Sequence, residues 1–256
     1  MSKTGESPYL RNPFERRVSM IGFLRLLAVC WILVAVSSGR GQERRIPFPE
    51  TYDLNSSGIP RFVESDYIEL AKIERISRFR SGVGHEYSDT FESCRSMKHY
   101  FQPSNTVNWA SIQIRSPVAG TVSRLDQERL VGGGTQMRII SRDFPAFCFI
   151  LFHVRTNGLV SVGDSVSAGH LLGTHIGTQS MSEIAVGAST PTGWRLVSYF
   201  DVMTDSMFAT YRARGINSRI DVIIPKEARD TAPLACKGGE FTSPGNLPNW
   251  VRLRSP

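Results

Sequence analysis

From Gly84 onward the apolar residues of this chain fall in short runs ended by glycine or by small polar residues, and that punctuation most limits the fold. Runs at 112–115, 120–125, 137–141, 147–154, 166–173, 184–186 and 196–203 are rich in β-branched and aromatic residues and short for helices. Because no series of helical segments alternates with them, they exclude a βαβ array and predict a mostly β domain, a sandwich or rolled antiparallel sheet. Two turn segments echo each other, Ser116-Pro117-Val118-Ala119-Gly120-Thr121-Val122 and the stretch from Val160 to Gly173. Each sets glycine where a strand must turn sharply and aliphatics where it must face a core.

Two short helices are expected to flank this domain. Ser65 precedes 66–78, where Ile68, Ala71, Ile76 and Phe79 recur near helical spacing. Thr204 can cap a helix over 205–214 that Gly215 stops, with Met207, Phe208 and Tyr211 on one face. A last strand is expected at 220–224, and 226–256 reads as loop.

The N-terminus differs from the rest. Arg11, Arg16, Arg17 and Arg25 precede an apolar run at 26–36, and Ser37, Ser38 and Gly39 follow. A basic stretch, a short apolar run and small residues describe a signal peptide, and Arg25 leaves the run short of the roughly 20 residues a spanning helix needs. The alternative is an uncleaved anchor. Both predict export to a periplasmic or extracellular location, with membrane contact only through this segment. The expected layout is 1–39 signal or anchor, 40–64 linker, 65–215 β domain with its two helices, and 216–256 a loop-rich extension.

Export bears on the cysteines. Cys30 lies in the signal segment, where Val29 and the apolar continuation argue against lipidation. Cys148 sits in an apolar strand and reads as a buried thiol, which makes Cys94–Cys236 the economical disulfide. The net charge of +7 suits an anionic wall polymer or membrane surface as well as plain solubility, and no basic run interleaved with aromatics points to nucleic acid.

The stretch Val160-Ser161-Val162-Gly163-Asp164-Ser165-Val166-Ser167-Ala168-Gly169-His170-Leu171-Leu172-Gly173 resembles a signature shared by lysostaphin-type (LytM-like) zinc endopeptidases and biotinyl or lipoyl carrier domains. Upstream, Gly84-His85-Glu86-Tyr87-Ser88-Asp89 matches the H-x-x-x-D that supplies two zinc ligands in the endopeptidases. Residues 117–122, then Leu151-Phe152-His153-Val154, then the glycine hairpin follow in that family's order. The resemblance implies the duplicated hybrid motif fold, zinc as cofactor, and cell-wall peptide or peptidoglycan as partner. It places His85 and Asp89 as metal ligands and His153 as a catalytic histidine, or one that supports the ligands from behind, near the metal-bound water.

The chain departs from the family at its H-x-H, where it has Met181-Ser182-Glu183. Glu183 can bind zinc in place of a histidine, but the thioether of Met181 cannot take a proton. His175 is a spare histidine beside the hairpin, and His170 sits at a turn position expected to be exposed. The resemblance therefore implies a zinc site of His85, Asp89 and Glu183 with impaired hydrolysis, or a non-catalytic relative that binds wall peptides or regulates a hydrolase. Zinc content together with turnover of wall fragments separates these. A carrier domain is the remaining reading, since Ser96-Met97-Lys98 resembles a biotinylated A-M-K turn; unmodified Lys98 would remove it.

Overall fold

The computed structural model describes residues 50–128, 133–178 and 180–255. The expected signal segment, Cys30 and the first part of the expected linker lie outside the described residues. Among the described residues no helix is long and apolar enough to cross a membrane.

In chain order the strands are β1 (Ile73–Ser77), β2 (His99–Pro103), β3 (Gln113–Arg115), β4 (Gly120–Gln127), β5 (Thr135–Ser141), β6 (Phe147–Arg155) and β7 (Ser165–Val166). They continue with β8 (Leu171–His175), β9 (Ser182–Thr190), β10 (Gly193–Val197), β11 (Cys236–Lys237), β12 (Glu240–Phe241) and β13 (Trp250–Arg252). The helices are α1 (Leu54–Ser57), α2 (Asp205–Ala213) and α3 (Lys226–Thr231). The main sheet runs β13-β1-β2-β9-β6-β5-β4-β7, with β10 beside β9 and β8 joining β3 to β6, and every strand pair in it is antiparallel. The protein is thus mostly β, a rolled antiparallel sheet. β11 and β12 form a separate hairpin.

The centre of the sheet is β6 against β9. Phe147, Cys148, Phe149, Ile150 and Leu151 are all buried, as are Ile184, Ala185 and Val186 opposite them. Covered on both faces, these strands read as unbroken apolar runs instead of alternating ones. One side of β9 meets β2 through Ser182–Ile184 and β10 through Val186–Thr190, so Glu183 is fixed between β6 and β2.

The second expected helix forms: Thr204 accepts from the Met207 amide, and Gly215 follows its end at φ +93°. The first does not. Only a 3₁₀ turn (Leu70–Lys72) is present, and β1 replaces the rest, because Ile73 and Ile76 are buried on a backbone paired on both edges, with β2 and β13. The expected strand at 220–224 is a 3₁₀ turn (Arg219–Val222) capped by Ser218, with a single bridge from Ile223 to Phe79. The described part of the expected linker is anchored, since Val63 is fully buried and Phe62 and Val63 both donate to the Val202 carbonyl. The loop-rich extension also carries structure: β13 lies against β1, and the β11–β12 hairpin is tied to the body by a Cys94–Cys236 disulfide, Cα atoms 5.7 Å apart. Cys148 is a buried free thiol that burial pushes up to about 12.

Candidate functional site

Phe152 on β6, Glu183 on β9 and Tyr100 on β2 stand opposite one another, so their side chains share one face of the sheet. Lys98 precedes Tyr100 by two residues and shares that face. His153 should point to the other face, but it has φ +59°, and the β5–β6 register slips between Leu151 and Val154. This bulge re-aims the imidazole into the cluster, at a strain cost of about 1–3 kcal/mol for left-handed backbone at a non-glycine residue.

The result is a linear chain of contacts. Glu128 Oε2 lies 2.9 Å from His153 Nδ1, and His153 Nε2 lies 3.0 Å from Glu183 Oε1. Glu183 Oε2 accepts from Lys98 Nζ at 2.5 Å, and Nζ lies 3.1 Å from His85 Nε2. His85 Nδ1 meets the Glu86 carbonyl at 2.8 Å; a carbonyl only accepts, so Nδ1 carries the proton and the Nε2 lone pair faces the lysine. The rings of Phe152, Tyr87 and Tyr100 surround the ammonium at 4.5, 4.9 and 5.0 Å.

Burial alone would depress the His153 imidazole, but the Glu128 and Glu183 carboxylates outweigh it and raise it to about 9. Both ring nitrogens therefore donate. Burial would raise the Glu183 carboxyl, yet its hydrogen bond from His153 and the charges of Lys98 and His153 hold it below the usual carboxylate range. Burial lowers the Lys98 amine, and the Glu183 carboxylate opposes that shift.

Above this chain lies a groove of about 640 Å³, a volume typical of ligand clefts. Its walls include Tyr100, Trp109, Met181 and Glu240, with His85, His153 and Glu183 on its floor. The disulfide-tied hairpin forms one side: Glu240 bridges to His85, and the Glu86 amide donates to the Gly239 carbonyl.

The expected site residues are not all brought together. His85, His153 and Glu183 converge, with Met181 beside them. Asp89 does not join: its Oδ1 accepts from the Phe91 and Glu92 amides and its Oδ2 from Leu196. Leu196 pairs with Gly187, four residues along β9 from Glu183, about 13 Å at the strand rise. Asp89 is thus a loop-fastening residue. His175 is fully buried, and burial lowers it to about 4; His170 is exposed on its turn. The residues that sequence reasoning missed are Glu128 and, as a member of this site, Lys98. The Lys98 side chain is 1% exposed and ion-paired, not presented on an open turn as the carrier reading expects.

The donors present do not fit zinc. Lys98 Nζ takes the lone pairs of His85 Nε2 and Glu183 Oε2, and the third expected ligand is spent on main-chain amides. Among the described residues no group of three or more His, Cys, Asp or Glu side chains is arranged to hold a metal ion.

No protein-family model and no curated protein matches the chain. Among solved structures it is similar to LytM of Ruminococcus gnavus, at 18% identity and TM-score 0.31, over 41% of this chain and 43% of that one. It is similar also to the catalytic domain of the antimicrobial peptidase lysostaphin from Staphylococcus simulans, at 19% and 0.31, over 43% and 80%. A third likeness is to the SpoIIQ–SpoIIIAH pore forming complex, at 8% and 0.38, over 56% and 91%. The chain spans less than half the length of the LytM chain, and these likenesses carry no chemistry over to it.

Proposed function

We propose that this protein is an exported, non-hydrolytic module whose groove binds peptides of the bacterial cell wall. The observation that carries the reading is the Lys98 ammonium lodged between His85 and Glu183, where the resemblance expects zinc. Two further features agree with it. A general base must be free to take a proton at working pH, whereas His153 already holds one on each nitrogen and is pinned between two carboxylates. Met181, which lines the groove where the resemblance implies a histidine acting as general base, has no proton chemistry to offer.

What the groove keeps is a recognition surface. Tyr100, Trp109 and Met181 line it with apolar surface, Gln102, Thr178 and Ser180 offer hydrogen bonds, and Glu240 offers a charge on the rim. An extended peptide matches that mixture. The basic N-terminal segment followed by an apolar run supports export, and wall peptide as ligand is what the family resemblance implies.

The test is titration of the full mature chain with soluble wall-derived stem peptides. Intrinsic tryptophan fluorescence, compared between the wild type and Trp109→Phe, reports binding and mass spectrometry reports cleavage, with zinc and with a chelator. Saturable binding unchanged by chelator, with no cleavage, supports the reading; zinc-dependent cleavage, or no binding under any condition, sinks it.

A further inference from the structure

We propose that Lys98 is a built-in cation that takes the place of a metal ion in the groove, organising His85 and Glu183 with its own ammonium. The inference deepens the groove reading and rests on it for the location of the site, but its test reads metal and stability and not peptide.

Three observations carry it. First, the partners of Nζ are an imidazole nitrogen and a carboxylate oxygen, both ordinary zinc donors, and the His85 tautomer leaves the metal-binding lone pair aimed at the lysine. Second, Tyr87, Tyr100 and Phe152 close other directions around the ammonium with ring faces. A metal at that point would meet aromatic carbon where a catalytic ion needs an open position for water. Third, the charges balance: the Lys98 and His153 cations face the Glu128 and Glu183 carboxylates in an alternating row. A divalent ion added to this row would bring buried positive charge with no partner, which is strongly unfavourable.

The side chain also has the reach required. A lysine stem ends about where an ion would sit if a shorter imidazole at the same position bound it across a bond of about 2.0–2.1 Å. Truncating Lys98 should therefore uncover room for an ion beside His85 and Glu183, and filling the same room with an uncharged chain should not.

The experiment measures thermal unfolding midpoints and bound zinc for the full mature chain and for Lys98→Ala and Lys98→Met, with and without added zinc. Both variants are expected to melt below the wild type. Zinc is expected to raise the midpoint of Lys98→Ala, to leave Lys98→Met and the wild type unmoved, and to lose its effect when His85→Ala is added. The proposal is overturned if the wild type binds one equivalent of zinc that His85→Ala abolishes, if zinc raises both variants alike, or if folded Lys98→Ala does not respond. Should Lys98→Ala not fold even with zinc, the wild-type arm decides, because the absence of a His85-dependent equivalent is what the proposal requires.

Discussion

Lys98 Nζ, just before β2, and Glu183 Oε2, on the adjacent β9, are joined by a buried ion pair, with the two side chains 1% and 5% exposed. Breaking such a pair from one side leaves the other charge without a counterion, at a cost of about 3–5 kcal/mol. Glu183→Gln is therefore expected to lose that much, because it strands Lys98, while His153 keeps Glu128 as its counterion. The double variant Lys98→Met with Glu183→Gln should lose less than the sum of the two single variants, as contacting residues do. Urea unfolding of all four proteins checks this; strict additivity would contradict it.

His153 sets an alkaline limit. Its folded pKa, about 9, lies above the unfolded value near 6.5, so the proton is held more tightly in the native state. The stability this contributes is fully present below about pH 6.5 and is lost as pH rises through 9. Glu128→Gln removes one of the two carboxylates, so the His153 midpoint read by NMR should move down, and the alkaline loss of stability should be smaller and complete at lower pH. An unchanged midpoint would contradict the geometry.

His99 behaves in the opposite sense. It is buried beside Phe79 and Phe200, and burial lowers it to about 4 despite the Ser77 carbonyl. Its contribution is present above the unfolded value of about 6.5 and is lost as pH falls toward 4. Its ring signals should stay those of the neutral form at pH 5.5, donating from Nδ1 to Ser77 and accepting from Ser198 at Nε2. Titration of His99 near 6.5 in the folded protein would be the contrary result.

Gly84 places His85. It has φ +70°, and a Cβ there would come within 1.9 Å of the Tyr100 hydroxyl. Gly58 has the same φ with no atom within 4 Å of its would-be Cβ. Gly58→Ala should cost only the backbone strain, about 1 kcal/mol or somewhat more, whereas Gly84→Ala should cost clearly more and displace His85. Equal losses in the two variants would show that the Tyr100 contact is not limiting.

The Cys94–Cys236 disulfide spans 142 residues and holds the hairpin that carries Glu240 against His85. Chain-entropy arguments give a loop of that size about 4–5 kcal/mol. Replacing both cysteines by serine should lower stability by that order and weaken ligand binding in the groove, while Cys148 stays unreactive to thiol reagents until the protein unfolds. Rapid native labelling of Cys148 would contradict its placement.

Much of the sheet was legible because glycine and small polar residues break the chain where strands turn, as at Gly120 and between β7 and β8. β1 was not, since Ile68, Ala71 and Ile76 happen to fall near a helical period and only pairing with β2 and with the distant β13 selects the strand. In the site, His85, His153 and Glu183 could be read from motif order. Asp89 misled because the same carboxylate that suits a metal also suits three main-chain amides. Lys98 gave one usable signal, a lysine sharing strand parity with Tyr100 in an otherwise aromatic segment. Glu128 gave none, because its partnership depends on the left-handed backbone of His153.

The most direct test of the cation-filled groove is a crystal of the protein soaked in zinc at neutral pH, with anomalous difference density measured at the zinc edge. The account predicts no zinc peak between His85 Nε2 and Glu183 Oε2, and lysine density continuous to Nζ at that point. A zinc peak there, with Lys98 swung away, would contradict it.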